Sequence, residues 1–171
     1  EAKKLLAAAG FSGRKPLRFT LDYQNLEDGR RVAVALQAMW RSIGADVQLT
    51  TTGFENKGTS LRNGDFDVSW FTFYAPYSDA TAFLYLLEAN NARNYSKYSN
   101  PEFDGMLRTA NRMHDPVERA AFLKKAEQLA LSAYPVIPLF VPSRTYLVSK
   151  RVQGWDDQTD THMARHLSIK D

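Results

Sequence analysis

LRFTLDYQNLEDGRRVAVALQAMWRSIGADVQLTT, residues 17–51, switches its hydrophobic period at Asp28 and again at Gly44. Leu17, Phe19 and Leu21 alternate with Arg18 and Thr20, the pattern of a half-buried strand. From Asp28 onward Val32, Leu36, Met39, Trp40 and Ile43 fall on one face of a helix that Gly44 ends. Asp46 to Thr51 follows at once as a second strand, with Val47 and Leu49 on one face. Strand, helix and strand joined this tightly form a βαβ unit, whose crossover is expected to be right-handed. The chain therefore belongs to the α/β class.

Upstream, Ala2, Leu5, Leu6 and Ala9 are spaced as on a helix, and Gly10 supplies its stop. Downstream, a helix is expected over Phe54–Asn63, stopped by Gly64. Phe66–Phe73 is mostly apolar and aromatic, as in a buried central strand. Pro76 and small polar residues make Ala75–Asp79 a loop, and Thr81–Glu88 reads as a helix. Asn100-Pro101-Glu102 places a cap residue before a proline at the first helical position. Asp115-Pro116-Val117-Glu118 repeats that layout, with Glu118 placed to complete a capping box. The helix that follows carries Phe122, Ala126 and Leu129 to about Leu131. Val136–Val141, Tyr146–Ser149 and His166–Ile169 read as strands, and Gln153–Met163 is polar with little period.

A length of 171 residues suggests one domain, long enough for a real core. Apolar residues are 44% and charged residues 24%, close to soluble averages. No apolar run approaches the ~18 residues of a membrane span. The net charge of +3 is spread over short pairs, Lys3-Lys4, Arg30-Arg31, Lys124-Lys125 and Lys150-Arg151, interleaved with acids. A nucleic-acid surface needs clustering that these pairs do not provide. With no cysteine, neither a disulfide framework nor a thiolate metal site can form. The chain opens on an amphipathic helix, Glu1-Ala2-Lys3-Lys4-Leu5-Leu6, without a signal-peptide layout, so any export signal is expected upstream.

A catalytic reading finds little to build on. Neither GxGxxG nor GxxxxGK[ST] occurs, and the GxSxG elbow is missing too. His162 and His166 are spaced to share a helix face, but Met163-Ala164-Arg165 between them lacks the glutamate of a zinc-protease helix. Asp156, Asp157 and Asp160 lack the glycine and terminal glutamate of an EF-hand loop and read as a solvated turn. His114, just before a helix cap, reads as a surface residue, and Asn94-Tyr95-Ser96 is a formal glycosylation sequon. No cofactor and no metal ligand set is expected.

The informative segment is Asp67–Phe83, DVSWFTFYAPYSDATAF. It concentrates Trp70, Phe71, Phe73, Tyr74 and Tyr77 at the end of a strand and in the loop after it. Ligands of open α/β sheets sit beyond the carboxyl ends of strands. Aromatic faces with polar tips suit a pocket that is partly apolar and partly wet. Strand alternation sends about half of such a run into the core, so Trp70 is open to either reading. Trp70, Phe73, Tyr74, Tyr77 and Asp79 are the candidate solute-binding residues.

Five stretches carry a wider likeness: Ala2-Lys3-Lys4-Leu5-Leu6 with Ala9-Gly10-Phe11; Gln37-Ala38-Met39-Trp40 with Ile43-Gly44-Ala45-Asp46-Val47; Gly64-Asp65-Phe66-Asp67-Val68; Tyr98-Ser99-Asn100-Pro101-Glu102-Phe103-Asp104; and Glu127-Gln128 followed by Pro135-Val136-Ile137-Pro138-Leu139. In this order and spacing the chain resembles the C-terminal portion of the peptide/nickel-type (family 5) extracellular solute-binding proteins of ABC importers. The resemblance implies part of a type II periplasmic-binding-protein, or Venus flytrap, fold: a C-terminal lobe with βαβ units and a mixed sheet. It implies a solute-binding lobe over residues 1–149, incomplete at its N-terminal side. Residues 150–171 would return to a missing N-terminal lobe. Without that lobe, Val152–Asp171 is expected to be disordered or to take an altered course.

The implied function is non-catalytic capture of a solute, an oligopeptide or dipeptide, by two-lobe closure. The implied partners are that solute, the importer's membrane subunits and the missing lobe, in a periplasmic or extracytoplasmic setting. Peptide-binding members usually carry an aspartate for the peptide's amino group in the loop after the Asp67–Phe73 strand. The matching position here is Pro76, with Asp79 three residues later. Asp79 then either supplies the carboxylate from a shifted loop, or the solute lacks the amine. An α/β hydrolase or transferase domain with an aromatic substrate pocket is the alternative reading.

Overall fold

The computed structural model describes residues 1–143, 145–155 and 164–170. Its elements run α1 (Ala2–Ala8), β1 (Leu17–Gln24), α2 (Glu27–Ile43), β2 (Ala45–Thr52), α3 (Phe54–Asn63), β3 (Val68–Trp70) and α4 (Thr81–Leu84), which tightens to a 3-10 turn at Tyr85–Leu87. There follow α5 (Pro101–Ala110), α6 (Pro116–Leu131), β4 (Val152–Gln153), a 3-10 turn at Ala164–His166 and β5 (Ser168–Ile169). The chain divides into two compact units, Glu1–Ile137 and Pro138–Asp171.

In the first unit the βαβ pattern becomes a parallel sheet of order β2-β1-β3. β1 lies against β2 from Leu17↔Ala45 to Gln24↔Thr52. Between them α2 ends because Gly44 takes φ 103°, a left-handed turn that a side chain resists. The alternation of β1 sends Leu21 and Tyr23 into one core with Ala33 of α2 and Ala45 and Val47 of β2. Phe19 meets Trp40 edge-on there, ring centres 5.1 Å apart. Asp22, between Leu21 and Tyr23, points to the opposite face, where α3 brings Lys57.

β3 departs from expectation. It is three residues long, not Phe66–Phe73, and it lies at the edge of the described sheet with β1 in the centre. The ladder from Leu21↔Val68 to Tyr23↔Trp70 cannot extend backwards. There the Asp67 carboxylate takes both the backbone N–H of Thr20 (2.8 Å) and its hydroxyl (2.9 Å). A side chain has replaced the next rung. These bonds, the backbone one foremost, also lower the Asp67 pKa.

The α5–α6 hairpin builds a second core from Leu84, Leu87, Phe103, Leu107, Ala110, Leu123, Ala126 and Ala130. Its helices begin where the sequence places them. Asn100 Oδ1 accepts from the N–H groups of Glu102 (3.0 Å) and Phe103 (3.3 Å). Asp115 Oδ1 accepts from Val117 (2.9 Å) and Glu118 (2.8 Å). On α6 Leu123, Ala126 and Ala130 are buried, while Phe122 and Leu129 pack at the margin of the core. Asn94 is buried and holds its own loop, donating to the carbonyls of Glu88 (3.2 Å) and Tyr98 (2.7 Å). Its sequon therefore marks a structural asparagine, with its amide nitrogen already engaged.

Val136–Val141 and Tyr146–Ser149 form no ladder among the described residues. Both have strand composition, but a strand exists only where another backbone meets its N–H and C=O groups. Ile137, Phe140, Val141 and Leu147 stand exposed instead. In the second unit β4 and β5 pair antiparallel, Val152↔Ile169 and Gln153↔Ser168, and Tyr146 meets Trp155 edge-on at 5.1 Å. The terminal strand is thus shorter than His166–Ile169, with His166 in the preceding 3-10 turn. Asp156, Asp157, Asp160, His162 and the rest of 156–163, in the middle of the segment expected to lose order, lie outside the described residues. Among the described residues no cluster of three or more His, Asp or Glu is placed to hold a metal, and no helix is long and apolar enough to cross a membrane.

Candidate solute-binding loop

Three neighbouring strands deliver their carboxyl ends to one place, and the chain leaves β3 there to form the aromatic loop. Trp70, the last strand residue, stays with the first core: register pairs it with Tyr23, and its ring packs over Gly29 of α2. A Cβ on Gly29 would stand 2.6 Å from the Gln24 carbonyl oxygen and 3.1 Å from the Trp70 ring, so glycine is what lets α2 come this close. Phe71 turns the other way, edge-on to Tyr95 at 6.0 Å. Phe73 meets Phe83 of α4 edge-on at 5.6 Å. Tyr74 and Tyr77 are about half exposed, at 56% and 47%. Tyr77 Oη lies 3.4 Å from Thr81 Oγ1.

Asp79 closes the loop. One oxygen accepts the Thr81 N–H at 2.9 Å and the Thr81 hydroxyl at 2.5 Å, which fixes the start of α4. Both oxygens also accept from the guanidinium of Arg119 on α6, Nη1 on Oδ2 and Nη2 on Oδ1 at 3.1 Å. Arg119 Nε donates to the Ala110 carbonyl at the end of α5 (3.2 Å). The pairing with Arg119, then the bonds from Thr81, hold the Asp79 carboxyl well below the usual carboxylate range. Asp79 is thus an ionised group whose charge is already met.

Beneath the loop lies a second polar group that the sequence did not announce. Asp22 of β1 and Lys57 of α3 are both buried and form an ion pair. Lys57 also donates to Ser69 Oγ of β3 at 2.7 Å, and the Thr52 hydroxyl at the end of β2 donates to Asp22 Oδ1 at 2.7 Å. One buried carboxylate and one ammonium therefore tie all three strands to α3. Neither Arg119 nor Lys57 stood out earlier, because their partners lie 40 and 35 residues away.

So the structure keeps Phe73, Tyr74, Tyr77 and Asp79 in one loop, with Trp70 at its root and turned to the core. Tyr74 and Tyr77 stand exposed in that loop beside Thr72, Ala75, Pro76 and Ser78, and its single carboxylate is engaged.

Comparison with known proteins gives the frame for this site. Residues 1–95 match the model of the family described as bacterial extracellular solute-binding proteins, family 5 Middle. The chain belongs to that family. It is 33% identical over 174 residues to the periplasmic oligopeptide-binding protein OppA of Haemophilus influenzae, covering 99% of this chain and 32% of the relative. The same protein's crystal structure with RPPGFSPFR superposes with a TM-score of 0.84 at 31% identity, over 99% of this chain and 34% of that one. OppA of Burkholderia pseudomallei gives 0.87 at 30% identity, with 99% and 34% covered. The probable deoxycholate-binding periplasmic protein YgiS of Escherichia coli is 32% identical, over 99% of this chain and 32% of its own length. The chain spans about a third of the length of the curated relatives it matches.

Proposed function

We propose that this chain forms one wall of a solute cleft, in a periplasmic or extracytoplasmic binding protein that passes its solute to the membrane subunits of an ABC importer. Capture involves no bond making or breaking. Ring faces bury part of the solute, and closure of a second lobe, supplied by the rest of the protein, completes the site. The observation that carries this reading is the loop after β3. It leaves the carboxyl end of a parallel sheet, is held at both ends, and exposes Tyr74 and Tyr77 between its anchors. Phe73 ties the loop to Phe83 of α4, and Trp70 sets where the loop begins.

The solute is a peptide or a related small molecule. One relative was crystallised with a nonapeptide and another is named for deoxycholate, and aromatic faces suit both peptide side chains and a fused-ring apolar body. Titration calorimetry tests the proposal. RPPGFSPFR and deoxycholate are offered to the full-length protein, to its Tyr74→Ala/Tyr77→Ala variant and to residues 1–171 alone. At least one ligand should bind the full-length protein, the double variant should bind it about tenfold or more weakly, and the isolated chain should show no measurable affinity. Full-strength binding by the double variant removes the loop from the site. Tight binding by the isolated chain overturns the two-walled cleft.

A further inference from the structure

The position of Asp79 invites the idea that it greets a positively charged solute, since it is the one carboxylate between Phe71 and Phe83. Its surroundings say otherwise. Arg119 reaches it with two nitrogens, the fork geometry that carboxylates and guanidinium groups favour. Thr81 occupies the same carboxylate with its N–H and its hydroxyl. Side-chain exposure is only 24% for Arg119 and 31% for Asp79, so solvent screens the pair less than a surface bridge. Arg119 is itself fixed at the other side, by its Nε on the Ala110 carbonyl.

We infer that Asp79 and Arg119 form a clasp that positions the aromatic loop on the α5–α6 hairpin, and that this wall therefore receives the uncharged, apolar part of the solute rather than an ammonium group. The inference rests on the reading of the loop as a cleft wall, and it decides between the two roles that the sequence left open for Asp79. A new ammonium would have to displace a bidentate guanidinium already neutralising the charge, and would leave Arg119 part-buried without its counterion. The loop has nothing else acidic to offer. What it does offer is the ring faces of Tyr74 and Tyr77, a few residues before the clasp.

The test uses the full-length protein with Arg119→Gln, Arg119→Lys, Asp79→Asn and the Asp79→Asn/Arg119→Gln double variant. Hydrogen exchange of residues 71–83 is measured without ligand, and affinity is measured for RPPGFSPFR and for its N-acetylated form. With Arg119→Gln the loop amides should exchange about tenfold faster while those of α5 and the later turns of α6 hold their rates. Arg119→Lys should restore part of the protection. Each single variant should weaken peptide binding about tenfold, and the double variant no further, as expected for two residues acting as one unit. Acetylation should leave the Asp79→Asn effect unchanged. Unaltered exchange in Arg119→Gln overturns the clasp. An Asp79→Asn loss that appears for the free amine but vanishes for the acetylated peptide overturns the apolar assignment. If wild type binds neither peptide, the peptide reading fails by itself, and the exchange measurement still decides the clasp.

Discussion

Lys57 and Asp22 are each almost wholly enclosed, at 6% and 3% exposure, and together they show how much one distant pair can fix. A buried charge with its partner removed is among the costlier defects a fold can carry. Lys57→Met should therefore destabilise the protein by about 3 kcal/mol, the lower end of the usual range, because Thr52 and Ser69 still donate to Asp22. Adding Asp22→Asn should recover part of that loss by removing the orphaned charge. Urea unfolding of the three variants, compared by midpoint at constant slope, checks both statements. A neutral Lys57→Met would mean that the pair is decoration. At this scale the sequence was silent: nothing local distinguishes Lys57 from a solvated lysine, or Asp79 from a loop aspartate awaiting a ligand. Their meaning comes from residues that only the folded chain brings near.

Elements were far more readable, for a physical reason. Helix ends are written in neighbouring residues: Gly44 and Gly64 close α2 and α3, while Asn100 and Asp115 open α5 and α6 with the bonds their side chains can reach. Asn100→Ala and Asp115→Ala should each cost about 1 kcal/mol, and Asp115→Ser should cost much less, measured as shifts in thermal midpoint. Equal losses for alanine and serine at position 115 would show that the cap bond is not what matters. Strands were harder, because a strand needs a partner that its own sequence does not specify. β3 starts no earlier than Val68 since Asp67 supplies a side-chain acceptor to Thr20 in place of a rung. Val136–Val141 has the composition of a strand and no ladder among the described residues. The aromatic segment was legible as a candidate site because its residues are contiguous; the Asp79–Arg119 pair, 40 residues apart, was not.

Across the molecule, both apolar cores found among the described residues lie within Glu1–Ile137. A chain shortened to end at Ile137 should thus keep one cooperative thermal transition, its midpoint within a few degrees of the parent's. Far-ultraviolet circular dichroism on heating measures this, and a broad or missing transition would show that Pro138–Asp171 is needed to fold the rest. A division of labour accompanies this arrangement. Tyr74 and Tyr77 belong to neither core, so exchanging them leaves the packing of both untouched. The framework and the rings can therefore mutate on separate schedules. A lineage can rewrite a few loop positions between fixed anchors without crossing a valley of unfolded intermediates.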